Sequence, residues 1–190
     1  LPDGTLSVRI PGTVDRSFGH RQRAHFQPGL GHWRTLPGGV EITVPESFGC
    51  AVSDVMPRQC RLEATIAFTE GTEACGIMLR VSQDLERAYY IRLEPHRNRM
   101  VFDAWPRAGD VPFMIGLERP LDLTAGRRVE LEVLVDGTVC EVYAANQVAM
   151  STRLYGLRAG RWGVFVQQGS ARFENLGLSL PGDETGQSGG

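Results

Sequence analysis

The chain predicts an all-β fold, two antiparallel sheets packed face to face as a sandwich, on three observations. Short runs of alternating apolar and polar residues follow one another along most of its length. Turn residues fall between these runs, most clearly at Asp136-Gly137, between residues 133–135 and 139–143. Both turn residues tolerate positive φ, which a tight hairpin needs. No segment sustains an apolar period of about 3.6 residues, so no long helix competes with the strands. At 190 residues and 42% hydrophobic content the chain suits one globular domain. That length is enough to bury a full two-layer core.

Taken in order, residues 1–22 read as a connector. Their first half holds a turn at Asp3-Gly4, one short strand and a stop at Pro11. The sandwich domain is placed at 23–180. Residues 40–44 alternate, and 60–68 put Leu62, Ala64, Ile66 and Phe68 on one face. In 76–81, Ile77 and Leu79 continue the alternation begun at Cys75. Residues 89–94 and 100–105 follow, then 129–135 with strict alternation, then 139–143 after the Asp-Gly turn. Residues 148–155, 163–167 and 171–180 close the domain. Pro57, Pro95, Pro106, Pro112 and Pro120 fall near strand ends, where a missing N–H does least harm. The tail 181–190 has no apolar residue outside Pro and Gly and is expected to be flexible. No internal repeat is present.

Composition excludes several function classes. The net charge is -2, and all 20 cationic side chains are arginine, with no basic block, so nucleic acid is not an expected partner. No apolar run approaches the ~18 residues of a membrane helix, and no signal peptide is visible. The start at Leu1 reads as the start of a piece of a longer protein. The compartment stays open, with extracellular favoured over cytoplasmic. Cys50, Cys60, Cys75 and Cys140 form no Cys-x-x-Cys pair and have no histidine at ligand spacing, so no metal is expected. Cys75 and Cys140 alternate with apolar neighbours as small core residues do. A Cys50–Cys60 disulfide is left open. His20, His25, His32 and His96 show no ligand spacing. No Asn-x-Ser/Thr acceptor occurs.

Residues 133–143 read Val-Leu-Val-Asp-Gly-Thr-Val-Cys-Glu-Val-Tyr, and 148–155 read Val-Ala-Met-Ser-Thr-Arg-Leu-Tyr. This wording resembles the end of the C-terminal β-sandwich of glycoside hydrolase family 32, the invertases, inulinases and levanases. Leu1, Asp3, Gly4, Leu6 and Pro11 fit the phrase with which that family passes from its catalytic propeller into the sandwich. Further likenesses lie at 76–82, 89–95, 100–103 and 116–123, in family order, so the resemblance spans 60–180. It implies a sandwich of the concanavalin-like, jelly-roll sort. It also implies an N-terminal five-bladed propeller in the same parent protein, which carries the catalytic carboxylates. The family's catalytic phrases, W-M-N-D-P-N-G, R-D-P and E-C, are absent here, and neither Glu73-Ala-Cys75 nor Cys140-Glu141 matches the last of them. A retaining glycosidase needs two carboxyls about 5 Å apart, and no motif marks such a pair. No catalytic residue and no cofactor is therefore assigned.

Alternation also gathers candidate ligand-binding residues. Tyr90, Arg92 and Glu94 oppose Tyr89, Ile91 and Leu93; Asp103 and Trp105 oppose Phe102 and Ala104; Arg80 opposes Ile77 and Leu79. If these strands are neighbours, one face carries Arg80, Tyr90, Arg92, Glu94, Asp103 and Trp105. Carboxylates and arginines bond vicinal hydroxyls, and an aromatic ring covers the apolar face of a sugar. Carbohydrate-binding module family 66 resembles this sandwich and binds the terminal fructose of levan in a pocket of such mixed character. The plain alternative is a solvated face of cross-strand ion pairs, or a face that docks on the propeller. Glu141 reads as a hydrogen-bonded structural residue, and Trp33 and Trp162 as core plugs. The expected function is that of a non-catalytic accessory module packing against a fructan- or sucrose-hydrolysing propeller. Fructan binding is the second reading, and an activity of the sandwich's own is the third.

Overall fold

The computed structural model describes residues 6–105 and 117–182. Leu1, Asp3 and Gly4 of the connector, Pro106, Pro112, Gly116 and residues 183–190 of the tail lie outside the described residues. One short helix, α1 (Gly12–Ser17), precedes thirteen strands. These are β1 (His20–Arg23), β2 (Gln27–Leu30), β3 (His32–Leu36), β4 (Gly39–Val55), β5 (Gln59–Phe68), β6 (Ala74–Val81) and β7 (Ala88–Glu94). After them come β8 (Arg99–Trp105), β9 (Leu117–Pro120), β10 (Val129–Asp136), β11 (Val139–Ala144), β12 (Val148–Arg153) and β13 (Arg161–Leu180).

Every pairing is antiparallel, and hydrogen bonding runs unbroken through all thirteen strands. Two layers nonetheless emerge, because β4 and β13 are long enough to belong to both. The first layer runs β3, the start of β4, the end of β13, β5, β10, β11, β12. The second runs β2, the end of β4, the start of β13, β6, β7, β8, β9. The two long strands cross over together: Gln167 pairs with Phe48 and Gly169 with Val44, leaving three residues of β4 opposite one of β13. A register slip of this kind bends a strand. Gln168 takes φ 46° there, and a Cβ on Gly169 would lie 2.6 Å from the Cα of Thr72. The fold of the strand pair thus needs glycine at 169.

The core lies between the layers. Leu62, Ile66, Val133 and Phe173 from the first face Ile77, Ile91, Leu93 and Val164 from the second, all fully buried. Trp162 is a core plug as expected, 1% exposed, with the Phe26 ring edge-on at 5.1 Å; Trp33 is half-buried against the same core.

Each strand expected from alternation within 23–180 is present, but the short strand expected before Pro11 is not: residues 6–11 form no strand, and a helical turn and β1 follow them. Residues 163–167 and 171–180 prove to be one continuous strand, and 40–44 extends to Val55. The hairpin loop is Gly137-Thr138, one residue later than the sequence suggests, because Asp136 still pairs with Val139. Gly137 takes φ 58°. β1, β2, β3 and β9 were not legible: they are short and largely exposed, and they pair through backbone without an alternating apolar face. All four cysteines are free and buried. Cys60 faces the core and Cys50 the outer side of the second layer, so the open Cys50–Cys60 disulfide does not form. Burial pushes the Cys60, Cys75 and Cys140 thiols up to about 12.

Candidate functional site

The outer face of the second layer brings five of the six candidate residues together. Tyr90 pairs with Asp103, Ala88 with Trp105, Arg92 with Val101 and Glu94 with Arg99 across β7 and β8. Tyr89, Ile91 and Leu93 turn into the core, so Tyr90, Arg92 and Glu94 turn outward, as alternation requires. Trp105 ends β8 with 58% of its surface exposed. The Asp103 carboxylate accepts the Ala104 N–H at 2.9 Å.

Arg80 departs from this face. It takes φ 51°, and Leu79 faces the core while Val81 joins the outer cluster, so one extra residue interrupts the alternation at 80. The Arg80 guanidinium instead donates to the carbonyls of Leu154 at 3.0 Å, Leu157 at 2.6 Å and Gly137. It is 3% exposed and holds loops of the opposite layer. A bulge leaves no mark in period-two reading, which explains the misplacement.

Sequence reasoning missed the support beneath the face. A second apolar cluster of Cys50, Val52, Met78 and Phe165 is buried on this outer side. Phe165 stacks on Phe48 with centroids 5.7 Å apart and meets the Tyr90 ring edge-on at 5.1 Å. Burial raises the Tyr90 pKa above its ordinary value. Gln167 accepts from Arg92 at 3.0 Å. A Cβ on Gly76 would overlap the Ile91 carbonyl oxygen, so only glycine lets β6 and β7 close beside Arg92. The alternation of 163–167 does put Phe165 and Gln167 on one face. What the sequence lacks is the statement that β13 neighbours β6.

Glu94 sits at the hub of the polar part. It takes Arg99 at 2.8 Å, Arg92 at 3.3 Å and Arg97 at 3.8 Å, and Arg99 reaches on to Glu118. Burial pushes its carboxyl up, but the Arg99 hydrogen bond and the fields of the three arginines outweigh that and leave its pKa below the ordinary value of 4.5. A depressed folded pKa gives stability that is complete above the unfolded value and is lost as pH falls through the folded one. Glu94→Gln is therefore expected to lower stability at pH 7 by about 1 kcal/mol, a solvent-screened magnitude. The gap between variant and parent should close as pH drops below 4.5. Thermal melts between pH 7 and pH 3 measure it, and a gap constant across that range would refute the assignment.

Glu141 accepts the Tyr143 hydroxyl at 3.0 Å on the other layer, the hydrogen-bonded structural reading expected of it. Among the described residues no three His, Cys, Asp or Glu converge as metal ligands. No helix among them is long and apolar enough to cross a membrane.

Residues 38–179 match the sequence model of the family described as "Glycosyl hydrolases family 32 C terminal". The chain belongs to that family. No curated protein sequence matches it. The family 32 C-terminal fold recurs in solved structures of low identity. The carbohydrate-binding module CBM66 from Bacillus subtilis superposes with a TM-score of 0.70 at 14% identity, covering 82% of this chain and 95% of the module. The β-fructofuranosidase of Aspergillus kawachii gives 0.62 at 15% identity, covering 91% of this chain. An exo-inulinase from Aspergillus awamori gives 0.55 at 14%, covering 84%. The family 32 C-terminal domain seen here spans only 30% of either fungal enzyme. These likenesses establish an antiparallel β-sandwich that occurs both as a binding module and as the smaller part of longer enzymes.

Proposed function

We propose that this chain is a non-catalytic accessory module of a β-fructofuranosidase-type glycosidase, and that it holds fructan on the outer face of its second layer. The observation that carries the reading is the convergence of Tyr90, Arg92, Asp103 and the exposed Trp105 on one sheet face over a buried aromatic floor. Trp105 offers an apolar plane to a furanose ring. Asp103 and Arg92 offer charge-assisted hydrogen bonds to hydroxyls. Glu94, held by three arginines, positions Arg92 and Arg99 and is not a ligand group in this reading.

Calorimetric titration with levan, inulin, sucrose and fructose tests it. Saturable binding of at least one is expected, weakened about tenfold or more in Asp103→Ala and in Trp105→Ala. No heat from the folded chain with any of the four would overturn it.

The second reading, packing against a catalytic propeller of the same parent, is supported by the small share of the fungal enzymes that this domain spans. It predicts that the separately produced propeller binds this chain and melts at higher temperature in the complex. Residues 1–22 would then serve as the connector between the two domains.

A further inference from the structure

We infer that one loop end of the sandwich carries a second site, an oxyanion pocket built on Arg58, Arg80 and Arg158 that takes the phosphate, sulfate or carboxylate group of a small acidic ligand. A cavity of about 530 Å³ opens there, lined by these arginines with Asp136, Gly137 and Thr138. That is within the usual range for small-molecule sites. Three guanidiniums against one carboxylate leave an excess of two positive charges.

What marks this place is three guanidiniums around one cavity with a single carboxylate among its lining groups. On the sheet faces clustered arginines share carboxylates: Arg34 and Arg172 both hold Glu41, and Arg128 holds Glu174. Among the described residues Arg58 and Arg158 make no ion pair. A cleft lined by one sign of charge concentrates counter-ions, and a planar guanidinium matches the two oxygens of an oxyanion.

The pocket is also held in shape before any ligand arrives. Arg80 is 3% exposed, and its guanidinium is fixed by carbonyls from two loops, at 137 and at 154–157. The Gly137 N–H donates to the Arg58 carbonyl at 2.9 Å, which ties the β4–β5 turn to the β10–β11 hairpin. A Cβ on Gly137 would lie 3.6 Å from both Nε and Nη2 of Arg58, so the glycine keeps the space beside that guanidinium clear. Groups fixed in advance lose little freedom on binding. The pocket does not share the sheet face, because the Arg80 side chain leaves β6 on the side away from Tyr90.

The test is calorimetry on the 190-residue chain with inorganic phosphate, sulfate, glucuronate and fructose 6-phosphate, and with neutral fructose as the control. At least one anion is expected to bind saturably and more weakly as salt rises. Arg58→Gln and Arg158→Gln should each weaken that binding about tenfold without moving the melting temperature. Asp103→Ala should leave it unchanged. The phosphate and glucuronate arms separate phosphate from carboxylate recognition. The inference is overturned if no anion saturates, if binding survives both arginine substitutions, or if Asp103→Ala abolishes it.

Discussion

Arg80→Met is expected to destabilise the domain by about 3 kcal/mol, a large share of the stability of an ordinary domain. Methionine keeps much of the stem's volume but supplies no donor. The carbonyls of Gly137, Leu154 and Leu157 would all lose their guanidinium partner in a buried setting. A carbonyl stripped of its donor costs more than the bond itself contributes. The 154–157 loop is also held by Tyr89, whose hydroxyl oxygen accepts the N–H of Gly156 at 2.6 Å and of Leu157 at 3.1 Å. Its two anchors are therefore a cation for its carbonyls and an oxygen for its amides. Arg80→Lys should recover only part of the loss, because a compact ammonium cannot span three carbonyls as the planar fork does. Urea titration measures the change, and thermal melts should drop by roughly 6–12 °C. A loss under about 1 kcal/mol would mean that water replaces the guanidinium without penalty.

Phe165→Ala is expected to cost about 3–5 kcal/mol, the range for deleting a buried phenylalanine. Its ring is fully buried, stacked on Phe48 and met edge-on by Tyr90. It lies outside the space between the layers, so the cavity would open directly beneath the candidate sugar face. Fructan affinity should therefore fall together with stability. Phe165→Leu should restore most of the stability but leave Tyr90 without its aromatic support, and so recover less of the affinity. Equal recovery of both would sever the proposed link between floor and face. A loss from Phe165→Ala below about 1 kcal/mol would show that the second apolar cluster contributes little.

The two layers show how much alternation alone could carry. Leu62, Ala64, Ile66 and Phe68 all face inward, as their spacing requires, and so do Tyr89, Ile91 and Leu93. Tyr90, Arg92, Glu94, Asp103 and Trp105 share the opposite side for the same reason: a strand sends successive side chains to opposite faces. Arg80 broke the rule because a positive φ in β6 inserts one residue, and insertion is a property of pairing rather than of the residue. β1, β2 and β3 were invisible because an edge strand whose side chains face water needs no apolar pattern. Phe165 and Gln167 had the right pattern, but their neighbours are set by strand order.

Legible in the residues alone were the strand class, a hairpin within one residue of Asp136-Gly137, the inward set of the long alternating strands, and a family likeness spread over 60–180. These follow from local rules: period-two alternation, turn chemistry and wording along the chain. Long-range pairing set β7 beside β8, bent β4 and β13 through both layers, and laid an aromatic floor under the polar face. It alone brought Arg58, Arg80 and Arg158 around one cavity, from the β4–β5 turn, β6 and the loop before β13. Pairings between segments distant in sequence are chosen by the burial of the whole core and by backbone hydrogen bonding between strands. Neither is written in any short stretch of residues.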